Sequence, residues 1–216
     1  MIIDSDRFLS GFPLIITAAL GALNDNLIKA AIIVFAAMSV GPDQAANIGL
    51  AAGGLLMAPF VLFSGWAGAI ADKFEKAASI RIVKYSELAL ACLATGAMLT
   101  GSIPLMLVIV FLMGTQSAFF GPLKLGWIPE RLLPSQLVAT NGWLETLTFL
   151  GILGGTVAGG LLAGPETLIW VGLSAIVIAL LGVAWRTFCP SNTQQPPTSM
   201  FRAIRSRGRL LPSRPS

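Results

Sequence analysis

The sequence contains no histidine and only two cysteines, Cys92 and Cys189. Without histidine, it cannot build catalytic dyads or triads on imidazole, His-dependent acyltransferase sites, or His-ligated metal and haem centres. Two cysteines are too few for a disulfide scaffold or a thiolate metal centre. A phosphate-binding loop of the form GxxxxGK[ST] is also missing from the sequence. We therefore expect no enzyme activity, no catalytic residue, no metal site and no cofactor.

Charged residues are scarce as well. Only 11% of the 216 residues are charged, whereas 55% are apolar, and the mean hydropathy is +0.81. A soluble domain has about a quarter of its residues charged. A chain of this composition cannot bury its apolar side chains within itself and still present a polar surface. The composition therefore predicts an integral membrane protein, with the lipid bilayer as its environment and no nucleic-acid partner.

Uncharged stretches divide the chain into segments that are long enough to cross a membrane. Residues 44–71 fit one span, and residues 88–123 hold the end of one span and all of the next, with a turn at 100–104. A spanning helix needs about 20 mostly apolar residues. We therefore predict an all-α membrane protein with six transmembrane helices, at approximately 10–37, 46–71, 80–100, 105–122, 138–162 and 167–187.

The basic residues lie on one side of these six spans. Apart from Lys29, every Lys and Arg falls before the first helix, around the second and fourth connections, or after the sixth helix. The opposite connections contain only two charged residues, Asp43 and Glu166. Because positive charge is retained in the cytoplasm, this distribution predicts that both termini are cytoplasmic.

The end of the chain differs in composition from the rest. Residues 190–216 contain five Arg, five Pro and five Ser and no acidic residue. Such a segment lacks the apolar surface that it would need to fold alone. We therefore divide the chain into a transmembrane domain, 1–187, and a disordered basic cytoplasmic tail, 188–216. Contact with anionic lipid headgroups is an alternative for residues 200–211, where Arg alternates with apolar residues.

The first helix carries charge in its middle. Thr17, Gly21, Asp25 and Lys29 recur at intervals of four residues and so share one face. A carboxylate near the bilayer midplane costs about 2.5–3.5 kcal/mol on insertion scales, unless it faces a partner or a polar cavity. Two interpretations stay open: an Asp25–Lys29 ion pair within the helix, and a cavity-facing site for a polar headgroup or ion. The site would include Asn24, Asp25, Asn26 and Lys29.

Further charges stand at the ends of the later helices. The pair Gly121-Pro122 is expected to break the fourth helix and to leave Lys124 near the cytoplasmic mouth. Glu145, which follows Asn141 in the fifth helix, is expected to pair with Lys124, Arg131 or Lys84. At the start of the third helix, three charged residues are interpreted as snorkelling side chains and ion pairs. These residues are Arg81, Lys84 and Glu87.

The connection after the second helix resembles a known signature. The residues Gly68, Asp72, Lys73 and Lys76 fit the G-x-x-x-D-(R/K) loop of the major facilitator superfamily. In that family, the carboxylate contacts a neighbouring helix end and helps to lock one conformation. The resemblance implies the same conformational role here and close helix approach at Gly68. A weak repeat of glycine and polar positions between the first and last three helices favours the 3+3 inverted repeat of one major facilitator half.

Four motifs are similar to those of the lysophospholipid transporters, a branch of the same superfamily. The similarity covers 8–187 and implies flipping of lysophospholipids across the bacterial inner membrane. The polar and charged residues within these helices give the predicted substrate site, which comprises Asn24, Asp25, Asn26, Lys29, Lys124, Asn141 and Glu145. The four motifs are Leu23-Asn24-Asp25-Asn26-Leu27, Phe119-Phe120-Gly121-Pro122-Leu123-Lys124, Ile128-Pro129-Glu130 and Asn141-Gly142-Trp143-Leu144-Glu145.

The chain departs from this family in its number of helices. Family members have twelve, and only six are predicted here, which is equivalent to the amino-terminal half of the transporter. Residues 1–187 would then form a half-transporter domain that needs a carboxy-terminal half or a second copy of itself. Two alternatives remain: a carrier for another small molecule or drug, and a truncated remnant that serves only as an assembly partner.

Overall fold

The computed structural model describes residues 5–164 and 166–187, with side chains for 11–130, 132–164 and 166–185. The described residues form six α-helices, all of them long and apolar enough to cross a membrane. The predicted all-α class and its six spans are therefore confirmed. The helices are α1 Ser5–Val40, α2 Pro42–Lys73, α3 Lys76–Thr100, α4 Ile103–Arg131, α5 Pro134–Leu162 and α6 Leu168–Thr187. The basic tail assigned to 188–216 lies outside the described residues.

The helices extend further than the sequence predicted, and most of their connections are short. Gly41 alone links α1 to α2, with a φ of 87° that a side chain would strain. The predicted turn at 100–104 is present between α3 and α4, where Gly101 adopts a left-handed φ of 66° and donates its N–H to the carbonyl of Met98. Glycine at these two positions therefore allows each pair of helices to reverse direction within one or two residues.

The predicted break at Gly121-Pro122 is wrong. The fourth helix continues through Pro122 and through a second proline, Pro129, and ends only at Arg131. Proline removes one backbone donor, but neighbouring helices hold the turn in place, which is why membrane helices tolerate it. Lys124 consequently lies within α4 rather than in a connection.

The packing of the helices repeats between the two halves of the chain. The first helix of the first triplet, α1, packs against α5 and α6, and its counterpart α4 packs against α2 and α3. Exchanging α1–α3 with α4–α6 therefore leaves the pattern of neighbours unchanged, as the 3+3 repeat requires. Glycines permit both central contacts: Gly151, Gly155 and Gly159 of α5 lie against the backbone of α1, and Gly114 of α4 lies against Leu56 of α2.

Two apolar clusters fill the bundle, and polar residues separate them. In α1, one cluster ends at Ala18 and the other begins at Leu27; in α3, the corresponding limits are Val83 and Ala91. In α4, the interval between the buried members of the two clusters runs from 114 to 119. The interruption falls at the same depth in three helices, so the polar residues form a layer across the middle of the bundle. We call this the polar layer, and its side chains come from 21–26, 84–87 and 116–117.

Gly68 of α2 has no close neighbour among the described residues. A Cβ at Gly68 would have no atom within 4 Å, so none of the described helices approaches closely there, and the close approach stays a prediction. The most apolar windows of α2 and α5 are only 17% and 22% buried, against 33–44% for the other four helices. These two helices therefore turn large apolar faces away from the bundle.

Candidate functional site

A series of hydrogen bonds crosses the polar layer. The hydroxyl of Ser117 donates to the Asp25 carboxylate at 2.6 Å, which joins α4 to α1. The neighbouring Gln116 donates from Nε2 to the Glu87 carboxylate at 3.5 Å and to the Val83 carbonyl at 3.4 Å. The contacts therefore connect carboxylates of α1 and α3 through adjacent residues of α4.

Lys84 and Glu87 form a buried ion pair in this layer. Their side chains are 1% and 4% exposed, and Lys84 Nζ lies 2.5 Å from Glu87 Oε2. The ammonium also lies 5.1 Å from the ring centre of Phe120. At Gly21, a Cβ would lie 3.1 Å from Lys84 Nζ, so glycine lets α1 approach the pair closely. The ion pair predicted here is present, but the snorkelling interpretation is wrong for Lys84, because its ammonium lies inside the bundle.

A cavity of about 230 Å³ opens beside the polar layer. Asp25, Glu87 and Lys124 line it, together with apolar residues of α2 and α5. Acidic and basic groups thus share one space with apolar walls, as a site for an amphiphile would require. Its other polar lining residues are Asn26, Gln116, Ser117 and Thr148, and its larger apolar ones are Leu56, Met57, Phe60, Phe120 and Ile152.

Two polar residues of α1 line the cavity, and a third is buried between the helices. Asp25 and Asn26 line the cavity, whereas Asn24 is 1% exposed and does not. Lys29 donates to the side-chain oxygen of Asn26 at 2.8 Å. Among the described side chains, no ion pair joins Lys29 to Asp25, so the intrahelical pair considered above is wrong. Asp25 instead pairs across the bundle with Ser117.

The two site residues predicted on α5 lie outside the cavity lining. Asn141 and Glu145 are exposed on the outer face of that helix. The carboxylate of Glu145 is still near enough to the ammonium of Lys124 for electrostatic attraction. Of the alternatives weighed for Glu145, an interaction with Lys124 therefore fits best, without a direct ion pair among the described side chains.

The connection between α2 and α3 lies at the end of the bundle where α4 finishes. Lys76, at the start of α3, pairs with Glu130 near the end of α4 at 2.5 Å. Asp72 and Lys73 are exposed, and Lys73 Nζ stands 5.7 Å from the ring centre of Phe74. The Lys76–Glu130 pair therefore joins the predicted loop motif to α4 within the same six helices.

Sequence reasoning missed four polar residues of the cavity, namely Glu87, Gln116, Ser117 and Thr148. Ser117 could have been found from its spacing in the sequence. Ser117 precedes Lys124 by seven residues, two helical turns, so both lie on one face of an otherwise apolar helix. Within the described residues, no three acidic or cysteine side chains come together as a metal-binding group.

Comparison with known proteins identifies relatives of this chain. The chain is 32% identical over 143 residues to the lysophospholipid transporter LplT of Enterobacter sp. (strain 638), which is 66% of this chain and 34% of the relative. It is 31% identical over 172 residues to LplT of Yersinia pestis (strain Pestoides F), which is 76% of this chain and 38% of the relative. The chain is homologous to part of a major facilitator transporter.

The similarity to the lysophospholipid transporters is thus confirmed for this major facilitator homologue. The chain spans little more than a third of the length of the curated relatives that it matches, between 34% and 38%. No protein-family model matches it, and no solved structure does.

Proposed function

We propose that the chain forms one half of a transporter that moves lysophospholipids across the inner membrane by alternating access. The cavity beside the polar layer carries this proposal, because it places an acid, Asp25, and a base, Lys124, in one apolar space. A zwitterionic headgroup matches that arrangement: its amine pairs with the carboxylate, and its phosphate pairs with the lysine as a point charge. The name of the two relatives supports the same class of substrate.

The remaining residues of the predicted site have supporting roles in this proposal. Asn26 lines the cavity with its side chain held in place, because its amide donates to the Ala22 carbonyl at 2.8 Å and its side-chain oxygen accepts from Lys29 at 2.8 Å. Its second amide N–H remains for the headgroup. Asn24 is buried beside them in α1. Asn141 and Glu145 lie on the exposed face of α5, where Glu145 balances the charge of Lys124.

A second set of helices completes the transporter in this proposal. The outer faces of α2 and α5 are the least buried in the bundle. In this proposal they form the surface that contacts the partner, on both sides of the cavity. The partner is a carboxy-terminal half-transporter or a second copy of the chain, because major facilitator transporters bind substrate between two such halves. Gly68, Asp72 and Lys73 then contact that partner and act as the conformational loop, while Lys76 remains tied to Glu130.

Reconstitution of purified protein in vesicles tests the proposal directly. We expect the chain alone to move no lysophospholipid between leaflets, and co-expression with the carboxy-terminal six helices of the Yersinia relative to produce movement. Transport by the chain as a monomer would contradict the need for a partner, and transport by a homodimer would identify a second copy as that partner. Failure of every combination would favour a non-transporting assembly partner, and movement only of an unrelated solute would favour another substrate.

Orientation forms a separate part of the proposal, with both termini in the cytoplasm of an inner-membrane protein. Asp43→Cys and Glu166→Cys, made after Cys92 and Cys189 are replaced by serine, should react with a membrane-impermeant thiol reagent only from outside the inner membrane. The reason is that these positions lie at the end of the bundle opposite the basic connections. Glu75→Cys, in the connection between α2 and α3, is the matched control and should react only from the cytoplasmic side. Labelling in the reverse pattern would invert the topology.

A further inference from the structure

A second cavity lies between α2 and α3. Both helices pack against α4, but among the described residues they make few contacts with each other. A groove of about 560 Å³ separates them over the surface of α4, and we call it the α2–α3 groove. Phe74 and Glu75, in the connection between the two helices, line one end of the groove, and Ser86 and Gln116 lie at the other. Three helices and one connection therefore bound this space.

The walls of the α2–α3 groove are apolar. Ile70 of α2, Ile82 of α3, and Phe119 and Leu123 of α4 supply most of them. Among the described residues that line the groove, the one charged residue is Glu75, at the connection end. The length of the groove therefore presents hydrocarbon rather than charge.

The polar side chains along the groove are already hydrogen-bonded. The hydroxyl of Ser79 donates to the Glu75 carbonyl at 3.0 Å, and that of Ser86 donates to the Val83 carbonyl at 2.8 Å. Gln116 Nε2 donates to the Val83 carbonyl and to a carboxylate of α3, which uses both of its N–H groups. A polar ligand would therefore find no free donor on these side chains, whereas an apolar one needs none.

The groove lies on the side of α2 that faces away from the proposed partner half. Gly68 and Asp72, which are assigned to that partner, are four residues apart and share one face of α2. Ile70 is two residues from each and so lies about 200° around the helix from them. A partner that contacts Gly68 and Asp72 consequently leaves the groove uncovered.

On its other side, the groove opens on the outer face of α3. Ile82 is 70% exposed, and Ala89 and Leu93 continue the same exposed face along the helix. The described part of α3 packs against α4 and α6 only, on its other faces. In a membrane, this surface is in contact with lipid.

The size of the groove fits a hydrocarbon chain better than a helix. From Ala78 to Ser86, the groove extends about 12 Å along α3, at 1.5 Å per residue. A helix of 10–12 Å diameter would need about 900–1,400 Å³ to enter over that length, which exceeds the volume of about 560 Å³. Lipid tails are as apolar as leucine, so packing rather than the hydrophobic effect favours a chain here. An empty groove would leave its walls without partner atoms.

We propose that the α2–α3 groove binds one acyl chain of a bilayer phospholipid, packed lengthwise against Phe119 and Leu123. The glycerol end of the lipid lies at the connection, and the chain extends towards Gln116. The lipid fills the space between α2 and α3 and so stabilises both helices on α4. This site shares only Gln116 with the cavity beside the polar layer, and it does not depend on the proposed function.

Variants that fill the groove test the proposal. Ala78→Phe places a ring at the connection end, and Ser86→Leu fills the far end, so each can be examined if the other folds poorly. Ala89→Phe is the matched control, because it adds the same ring to the outer face of α3 but outside the groove. Size-exclusion profiles confirm which variants are folded.

Native mass spectrometry of the purified 216-residue chain in detergent measures the binding. The chain is titrated with palmitoyl-oleoyl phosphatidylglycerol and, separately, with the matching phosphatidylethanolamine. We expect one lipid of either kind to bind more tightly than the rest, and Ala78→Phe to weaken that binding about tenfold or more. Added lipid should raise the melting temperature of the unmodified chain and of Ala89→Phe, but not that of Ala78→Phe.

Several results would overturn the proposal. Folded Ala78→Phe and Ser86→Leu variants that bind lipid as the unmodified chain does would show that the groove is not the site, as would an unmodified chain that retains no lipid. Binding of only one headgroup would assign the lipid to charges at the connection. Release of the lipid on assembly with the carboxy-terminal helices of the Yersinia relative would assign the groove to the partner. None of these measurements requires transport.

Discussion

Asp25→Ala is expected to abolish lysophospholipid transport by the assembled protein while the chain still inserts and folds. The carboxylate lies in the polar layer, accepts a 2.6 Å hydrogen bond from Ser117 and lines the cavity. A hydrogen bond to a charged group contributes about 1.5–3 kcal/mol, which corresponds to about 10–150-fold in affinity. Loss of the counter-charge should add to that effect. Flux of a fluorescent lysophospholipid in reconstituted vesicles, normalised to inserted protein, measures it.

Two matched variants control the Asp25 experiment. Asp43→Ala removes a carboxylate at the exposed start of α2 and should transport normally. Asp25→Ala/Lys29→Ala tests whether the acid serves only to neutralise Lys29, and it should remain inactive because Lys29 bonds Asn26 rather than Asp25. Normal transport by the double variant would refute the assignment of Asp25 as a substrate residue.

Gly155→Leu is expected to prevent the folded bundle from accumulating. A Cβ at this position would lie 3.0 Å from the backbone nitrogen of Leu27 and still closer to the carbonyl oxygen of Leu23. Overpacking against movable side chains costs about 1–3 kcal/mol. At Gly155 the neighbouring atoms belong to the backbone of α1, which cannot rotate away as a side chain can. We therefore expect a larger loss of stability, and a displaced α1 would also displace Asp25. Size-exclusion yield and thermal denaturation in detergent measure it.

Gly160→Leu provides the control for that substitution. It lies in the same helix and only five residues away, but a Cβ there has no atom within 4 Å. Its yield and melting temperature should match the unmodified chain. Equal loss for both variants would show that the damage does not depend on the close contact between α1 and α5, and it would contradict the prediction.

Sequence alone predicts the spans well. A helix that crosses the bilayer needs about 20 mostly apolar residues, and most charged residues fall between such stretches. The turn at Gly101 and the position of Asp25 within a spanning helix also follow from the sequence, and the high cost of a charge there is why Asp25 is predicted to have a role. Helix ends are less predictable. The structure extends α4 through Pro122 because neighbouring helices support the turn, and no local signal reports those neighbours.

The set of residues that line the cavity could not be predicted from the sequence. Lys84 and Glu87 stand near the start of the third helix as the sequence predicts it, at 80–100, and charges at a helix end usually reach the membrane surface. The helix begins earlier, at Lys76, so both residues lie well inside it. Their burial depends on Gly21 of α1, which lets the helices approach, and on Gln116 of α4, which contacts the carboxylate. These contacts join segments that are far apart in the sequence, so they can be recognised only in the three-dimensional structure.

The shortness of the connections limits how the bundle can change shape. Gly41 alone separates α1 from α2, and two residues separate α2 from α3, α3 from α4 and α4 from α5. A helix cannot slide along its neighbour by a full turn of 5.4 Å without stretching such a link or unwinding a helix end. The first five helices consequently have little freedom to slide along one another, and in the proposed alternating-access cycle they would have to tilt together as one rigid body.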